Sequence, residues 1–145
     1  MVVTLFGCLY ASGQELEYRD GHYYKKGMLY SGKHVEYYEN GNPKIVRNIK
    51  NGIEDGLVIV YFENGMKKEQ RSYDEGKKDG LWITWDKEGN KMAEARYKDG
   101  EKDGNWLIWN DQGVLLYEMH YRNGKKTGVW KMYDDKGNLI EERKY

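Results

Sequence analysis

Four consecutive stretches of this chain can be written beneath one another without a gap. They are IKNGIEDGLVIVYFENGMKKEQRS from Ile49, YDEGKKDGLWITWDKEGNKMAEAR from Tyr73, YKDGEKDGNWLIWNDQGVLLYEMH from Tyr97 and YRNGKKTGVWKMYDDKGNLIEERK from Tyr121, with Tyr145 closing the last. A fixed step of 24 residues constrains the fold more than any single motif, because it requires one supersecondary unit stacked on copies of itself. A degenerate first unit runs from about Tyr24 to Asn48, with Gly32, Tyr37 and Gly41 in phase and one extra residue between Gly27 and Gly32.

Each unit carries two turn signals. Asn51-Gly52, Asp99-Gly100 and Asn123-Gly124, with Gly76 in the same slot, have the two-residue form that accepts positive φ at both central positions of a hairpin. A second group ends at Gly65, Gly89, Gly113 and Gly137. Between the turns lie runs of strand formers such as Leu81-Trp82-Ile83-Thr84-Trp85. The fold class expected is therefore all-β, an elongated antiparallel meander with two strands per unit. About ten strands at roughly 4.8 Å would make a sheet of order 50 Å with a thin core. Gly56, Gly80, Gly104 and Gly128 fall within or at the start of a strand, where a missing side chain allows a bulge or an aromatic ring over the backbone. Fourteen of the 18 glycines occupy repeat slots, so glycine serves the repeat and not a phosphate loop.

The pattern Y-x-x-G-x-x-x-G-x-W-x-x-[YW]-x-x-x-G, together with the opening YSGKHVEYYENGNPK from Tyr30 to Lys44, resembles the bacterial MORN-repeat variant found in the YwqK-type antitoxin family. The resemblance covers about residues 22 to 145. It implies a β-hairpin array that binds something. The antitoxin label implies neutralising a toxin by protein contact, and related eukaryotic arrays imply membrane association and scaffolding.

The ends of the chain differ from its middle. Residues Met1 to Ala11 are apolar and uncharged, followed by Ser12-Gly13-Gln14. This reads as the later part of a secretory signal cleaved after Gly13, which leaves residues 14–145 as one array and predicts export to the periplasm or cell surface. Lipidation of Cys8 within Leu5-Phe6-Gly7-Cys8, or a plain N-terminal strand in a cytoplasmic protein, are the other readings. Pro43 near one edge and Glu141-Glu142-Arg143-Lys144 at the other suit terminal units that resist edge-to-edge addition.

Chemistry is sparse. Charged residues form 33% of the chain with a formal net charge of +0, so the basic footprint of a nucleic-acid binder is missing. With one cysteine, neither an internal disulfide nor a multi-cysteine zinc site is available. No apolar run reaches the length of a transmembrane helix. Asp99-Gly100-Glu101-Lys102-Asp103-Gly104 mimics the front of a calcium loop, but the twelfth position is Asn110, and the acids do not recur with the repeat while the glycines do. Glu94, Glu118 and Glu142 share a slot two strands apart, roughly 10 Å, too far for a retaining carboxylate pair; cross-strand pairing with Lys and Arg is expected instead. No catalytic centre, metal or cofactor is expected.

What remains are the aromatic slots Trp82, Trp106 and Trp130, and Trp85, Trp109 and Tyr133. Alternation sends Trp82 and Thr84 to one face and Leu81, Ile83 and Trp85 to the other. One set must form the core; the other is free to meet a ligand. The function expected is a non-enzymatic binding or scaffold module, with a protein partner first. Alternatives are an antitoxin that masks a toxin, and a surface for cell-envelope glycan or lipid headgroups.

Overall fold

The computed structural model describes residues 16–145. The apolar leader expected over residues 1–13, and Cys8 with it, lies outside them. Fourteen strands and no helix make up the described chain. The first three, β1 (Glu17–Arg19), β2 (His22–Lys25) and β3 (Met28–Leu29), form a small antiparallel sheet of their own. The others are β4 (Gly32–Tyr37), β5 (Pro43–Lys50), β6 (Ile53–Tyr61), β7 (Lys67–Asp74), β8 (Lys77–Lys78), β9 (Gly80–Trp85), β10 (Lys91–Lys98), β11 (Glu101–Trp109), β12 (Leu115–Arg122), β13 (Lys125–Tyr133) and β14 (Leu139–Lys144). They form one 11-stranded antiparallel meander that pairs in chain order, except that the two-residue β8 lies off the path beside β7, which also pairs with β9.

The turns explain the meander. Asn51-Gly52, Glu75-Gly76, Asp99-Gly100 and Asn123-Gly124 all have positive φ at both residues, 45–50° at the first and 74–89° at the second. This is the mirror-image turn whose twist matches that of the flanking strands. Successive turns are stitched together: Gly76 N–H donates to Glu54 C=O, Gly100 to Lys78 and Gly124 to Lys102, at 2.8–2.9 Å. Asp20-Gly21 and Lys26-Gly27 adopt the same turn and build the small sheet, which the 24-residue frame did not anticipate. Tyr24, where the degenerate first unit was expected to begin, lies in that small sheet. The small sheet docks on the first turn of the array, with Tyr23 N–H donating to Gly52 C=O at 2.8 Å.

At the opposite edge each loop is closed by a side chain that imitates backbone. Asp86 accepts from the N–H groups of Glu88 and Asn90 at 3.0 and 2.8 Å and from the Asn90 amide at 2.9 Å. Asp134 repeats this with Lys136 and Asn138, and Asn110 does it without charge. The side-chain amides of Asn90 and Asn138, aided by the backbone donors, hold the Asp86 and Asp134 carboxyls below the ordinary carboxylate range. A carboxyl lowered in the folded state adds stability above its unfolded value that is lost as pH falls through the folded one. Carbon-detected NMR titration should therefore find both midpoints low, and Asn90→Ala should raise that of Asp86 while leaving Asp134 unmoved.

Gly56, Gly104 and Gly128 lie inside strands and Gly80 opens one. Between Ala95 and Tyr97 the pairing skips residues 103–105, so the extra residues of β11 surround Gly104. The same slip occurs at Gly56 and at Gly128. The indole two residues after the glycine donates to a carbonyl across the irregularity: Trp82 Nε1–H to Ser72 C=O, which also accepts the Asp79 N–H, Trp106 to Arg96 and Trp130 to His120, at 3.0–3.2 Å. The groups nearest to a Cβ built at these glycines are the side chains of Asn48, Ser72, Arg96 and His120, none of them a tryptophan or tyrosine ring.

Candidate functional site

Cross-strand register assigns the faces. Trp82 opposes Ala95, which opposes Trp106, which opposes Met119. Trp82 and Trp106 therefore share a face with Trp130 further along, and the alternation of β9, β11 and β13 places Trp85, Trp109 and Tyr133 on the other. The six aromatics singled out from the sequence are thus split into two rows of three.

Only the first row is a contact network. Tyrosines from the repeat's opening slot insert between the tryptophans, giving the unbroken series Tyr73, Trp82, Tyr97, Trp106, Tyr121, Trp130, Tyr145. Neighbouring centroids are 4.7–5.5 Å apart and the rings tilt at 53–63° to one another. Tilted and edge-on pairs of this kind contribute about 0.5–1.5 kcal/mol each beyond their burial. Burial holds the Tyr73 and Tyr97 hydroxyls above the ordinary phenol value. On the other face Trp109 has Lys91 at 5.5 Å from its ring centre, and Tyr133 donates to Glu118 at 3.3 Å. Glu94 and Glu118 stand on that face, but Glu94 pairs with Lys91 of its own strand at 2.9 Å and Glu118 lies 3.7 Å from His120, in place of the cross-strand lysine and arginine partners expected.

A lysine slot accompanies the ladder. Lys78, Lys102 and Lys126 stand opposite the ladder tyrosines Tyr73, Tyr97 and Tyr121, which puts them on the tryptophan face, and each ammonium rests over two rings at once. Lys78 Nζ is 4.5 Å from the Trp82 centre and 4.9 Å from Tyr97; Lys102 is 4.0 and 4.7 Å from Trp106 and Tyr121; Lys126 is 4.5 and 4.7 Å from Trp130 and Tyr145. Each such contact contributes about 0.5–1 kcal/mol when exposed. Neither the lysines nor the ladder tyrosines were among the candidate residues, although the lysines recur at the same 24-residue step and two residues before each strand glycine.

The ladder stops at Tyr73. In the preceding unit its slots hold Ile49 and Val58, and the lysine slot holds Glu54. Ile49 and Val58 are, with Ile45, the most buried apolar side chains described, Val58 being 0% exposed. Glu54 faces Arg47 at 3.5 Å and accepts from the Tyr23 hydroxyl at 3.4 Å. This end is closed by polar contacts to the small sheet; the other end opens into a shallow depression of about 320 Å³ lined by Tyr117, Met119, Lys126, Trp130, Met132 and Tyr145.

In the calcium-like stretch Asp103 accepts the Asn123 N–H at 3.0 Å, as Asp79 one unit earlier accepts that of Asp99 at 3.1 Å, each securing the turn of the following unit. No group of three or more metal-ligating side chains occurs among the described residues, and no described helix is long and apolar enough to cross a membrane.

A family model described as MORN repeat variant matches residues 30–51, 54–75, 78–99, 102–123 and 126–145. Three of these segments begin on the lysine slot, and the first four end at or beside a mirror-image turn. No curated protein matches the chain.

Proposed function

Since the chain belongs to the MORN repeat variant family, whose repeats are binding and scaffold modules, we propose that it holds a protein partner on the ladder face of its sheet. The observation that carries this reading is the unbroken series of rings from Tyr73 to Tyr145 on a face that no second layer covers among the described residues. Tyrosine and tryptophan, presented rigidly with cations beside them, are the residue types that dominate protein interface energetics. A stacked array displays them over a long, nearly continuous surface.

A photo-crosslinking residue tests the face. Tyr117 is 39% exposed in the depression beside Trp130, and Leu57 is 44% exposed on the opposite face. Placed at 117, the probe should capture a discrete protein from cells expressing the full chain; placed at 57 it should not. Capture from 57 alone, or no capture from 117, contradicts the proposal. Recovery of a toxin would make the chain an antitoxin of the kind the sequence resemblance implies.

A further inference from the structure

Three ammonium groups on the ladder face have no carboxylate oxygen within 4.0 Å among the described residues. They are Lys78, Lys102 and Lys126, of which Lys78 and Lys102 are half-buried. The rings beneath them are their counter-charge, and the side towards solvent is left for an anion. Other cations on this face are already matched: Arg71 to Glu69 at 2.6 Å and Arg143 to Glu141 at 2.7 Å.

The spacing of the row selects a shape. Equivalent residues in successive units lie two strands apart, roughly 9.6 Å. A polyproline-II segment repeats its face every third residue, a rise of roughly 9.3 Å. An extended strand presents one face every second residue, so its like-facing acids fall at roughly 6.7 or 13.4 Å, neither of which fits. A helix repeats near every seventh residue, roughly 10.5 Å, and slips by nearly 2 Å across the row. The rings that carry the lysines are tyrosine and tryptophan, the aromatic side chains that proline-rich segments dock against.

We infer that the partner contributes an extended polyproline-II segment with an acidic residue at every third position, laid across the strands so that three carboxylates meet Lys78, Lys102 and Lys126. The inference rests on the proposal that the ladder face binds protein, and deepens it by naming the segment. The site has a defined length: one unit before Lys78 the slot holds Glu54, which repels a fourth acid.

The test uses the full chain and a fluorescent nonapeptide of three Glu-Pro-Pro units, against an isomer with its three glutamates adjacent. Anisotropy should show the in-phase peptide binding about tenfold more tightly, with affinity falling as salt rises. A fourth Glu-Pro-Pro unit should add nothing. Lys102→Gln should weaken the in-phase peptide towards the isomer. Lys102→Glu should abolish binding, and a peptide with lysine in place of its middle glutamate should restore it; near-ultraviolet dichroism establishes that the ladder persists in each variant. Equal binding of the two isomers, no binding of either, or failure of the charge swap in folded protein overturns the inference. So does binding only to vesicles of phosphatidylcholine and phosphatidylserine. If the peptides fail while the probe at 117 still captures its partner, the segment is wrong and the binding face stands; if both fail, the face is wrong as well.

Discussion

Replacing Trp106 by alanine should lower the unfolding free energy by about 3 kcal/mol. The indole is the middle rung of the ladder. Its loss removes ring contacts to Tyr97 and Tyr121, the seat of Lys102 and the donor to the Arg96 carbonyl opposite the bulge. That carbonyl returns to water, but the two tyrosines lose the ring that joined them. Urea unfolding should show the midpoint falling well below that of the parent. Trp109→Ala removes an indole from the opposite face, where no ring packs on it among the described residues, and should cost about half as much. Because each unit touches only its neighbours, the damage should be local at first. Amides of β12–β14 should exchange faster than those of β5–β7 in the Trp106→Ala protein. Equal costs for the two tryptophans would mean that the ladder is not the core of this sheet.

Gly104→Val should be comparably severe, at about 3 kcal/mol. Gly104 has φ of +102° at the centre of its bulge, and a Cβ there would stand 3.2 Å from both Cβ and Cδ of Arg96. A β-branched residue is strained at that φ, and the cross-strand side chain must also move. Two residues later lies Trp106, whose indole depends on the bulge to reach the Arg96 carbonyl. Gly113→Ala isolates the conformational part. Its φ is +78° with no atom within 4 Å of a built Cβ, so about 1 kcal/mol is expected. If the two substitutions cost the same, the crowding at the bulge has no energetic weight.

The all-β meander was legible in the sequence because each turn is local. Asn51-Gly52 and its equivalents impose their geometry through two residues, and alternation within Leu81–Trp85 assigns faces without knowledge of any other strand. The ladder was not legible in the same way. That Tyr97 packs between Trp82 and Trp106 depends on pairing across β9, β10 and β11, including the slip around Gly104. A reading confined to one strand cannot place residues 15 positions apart side by side. The lysines were within reach, since Lys78 recurs with the period at a fixed four residues before Trp82, but interspersed acids made them look like solvated charge. The small N-terminal sheet was hidden for another reason. Its turns at Asp20-Gly21 and Lys26-Gly27 are six residues apart, too close for a 24-residue unit, so they fell outside the frame that organised the rest.

Whether the ladder face is both the core of the sheet and its binding surface can be read from the five indole N–H signals of the full chain. Trp82, Trp106 and Trp130 report the ladder face; Trp85 and Trp109 report the other. Adding the partner captured through position 117 should shift the first three, together with the ammonium signals of Lys78, Lys102 and Lys126, and leave the last two in place. Shifts confined to Trp85 and Trp109 would put the partner on the opposite face and leave the ladder a core only.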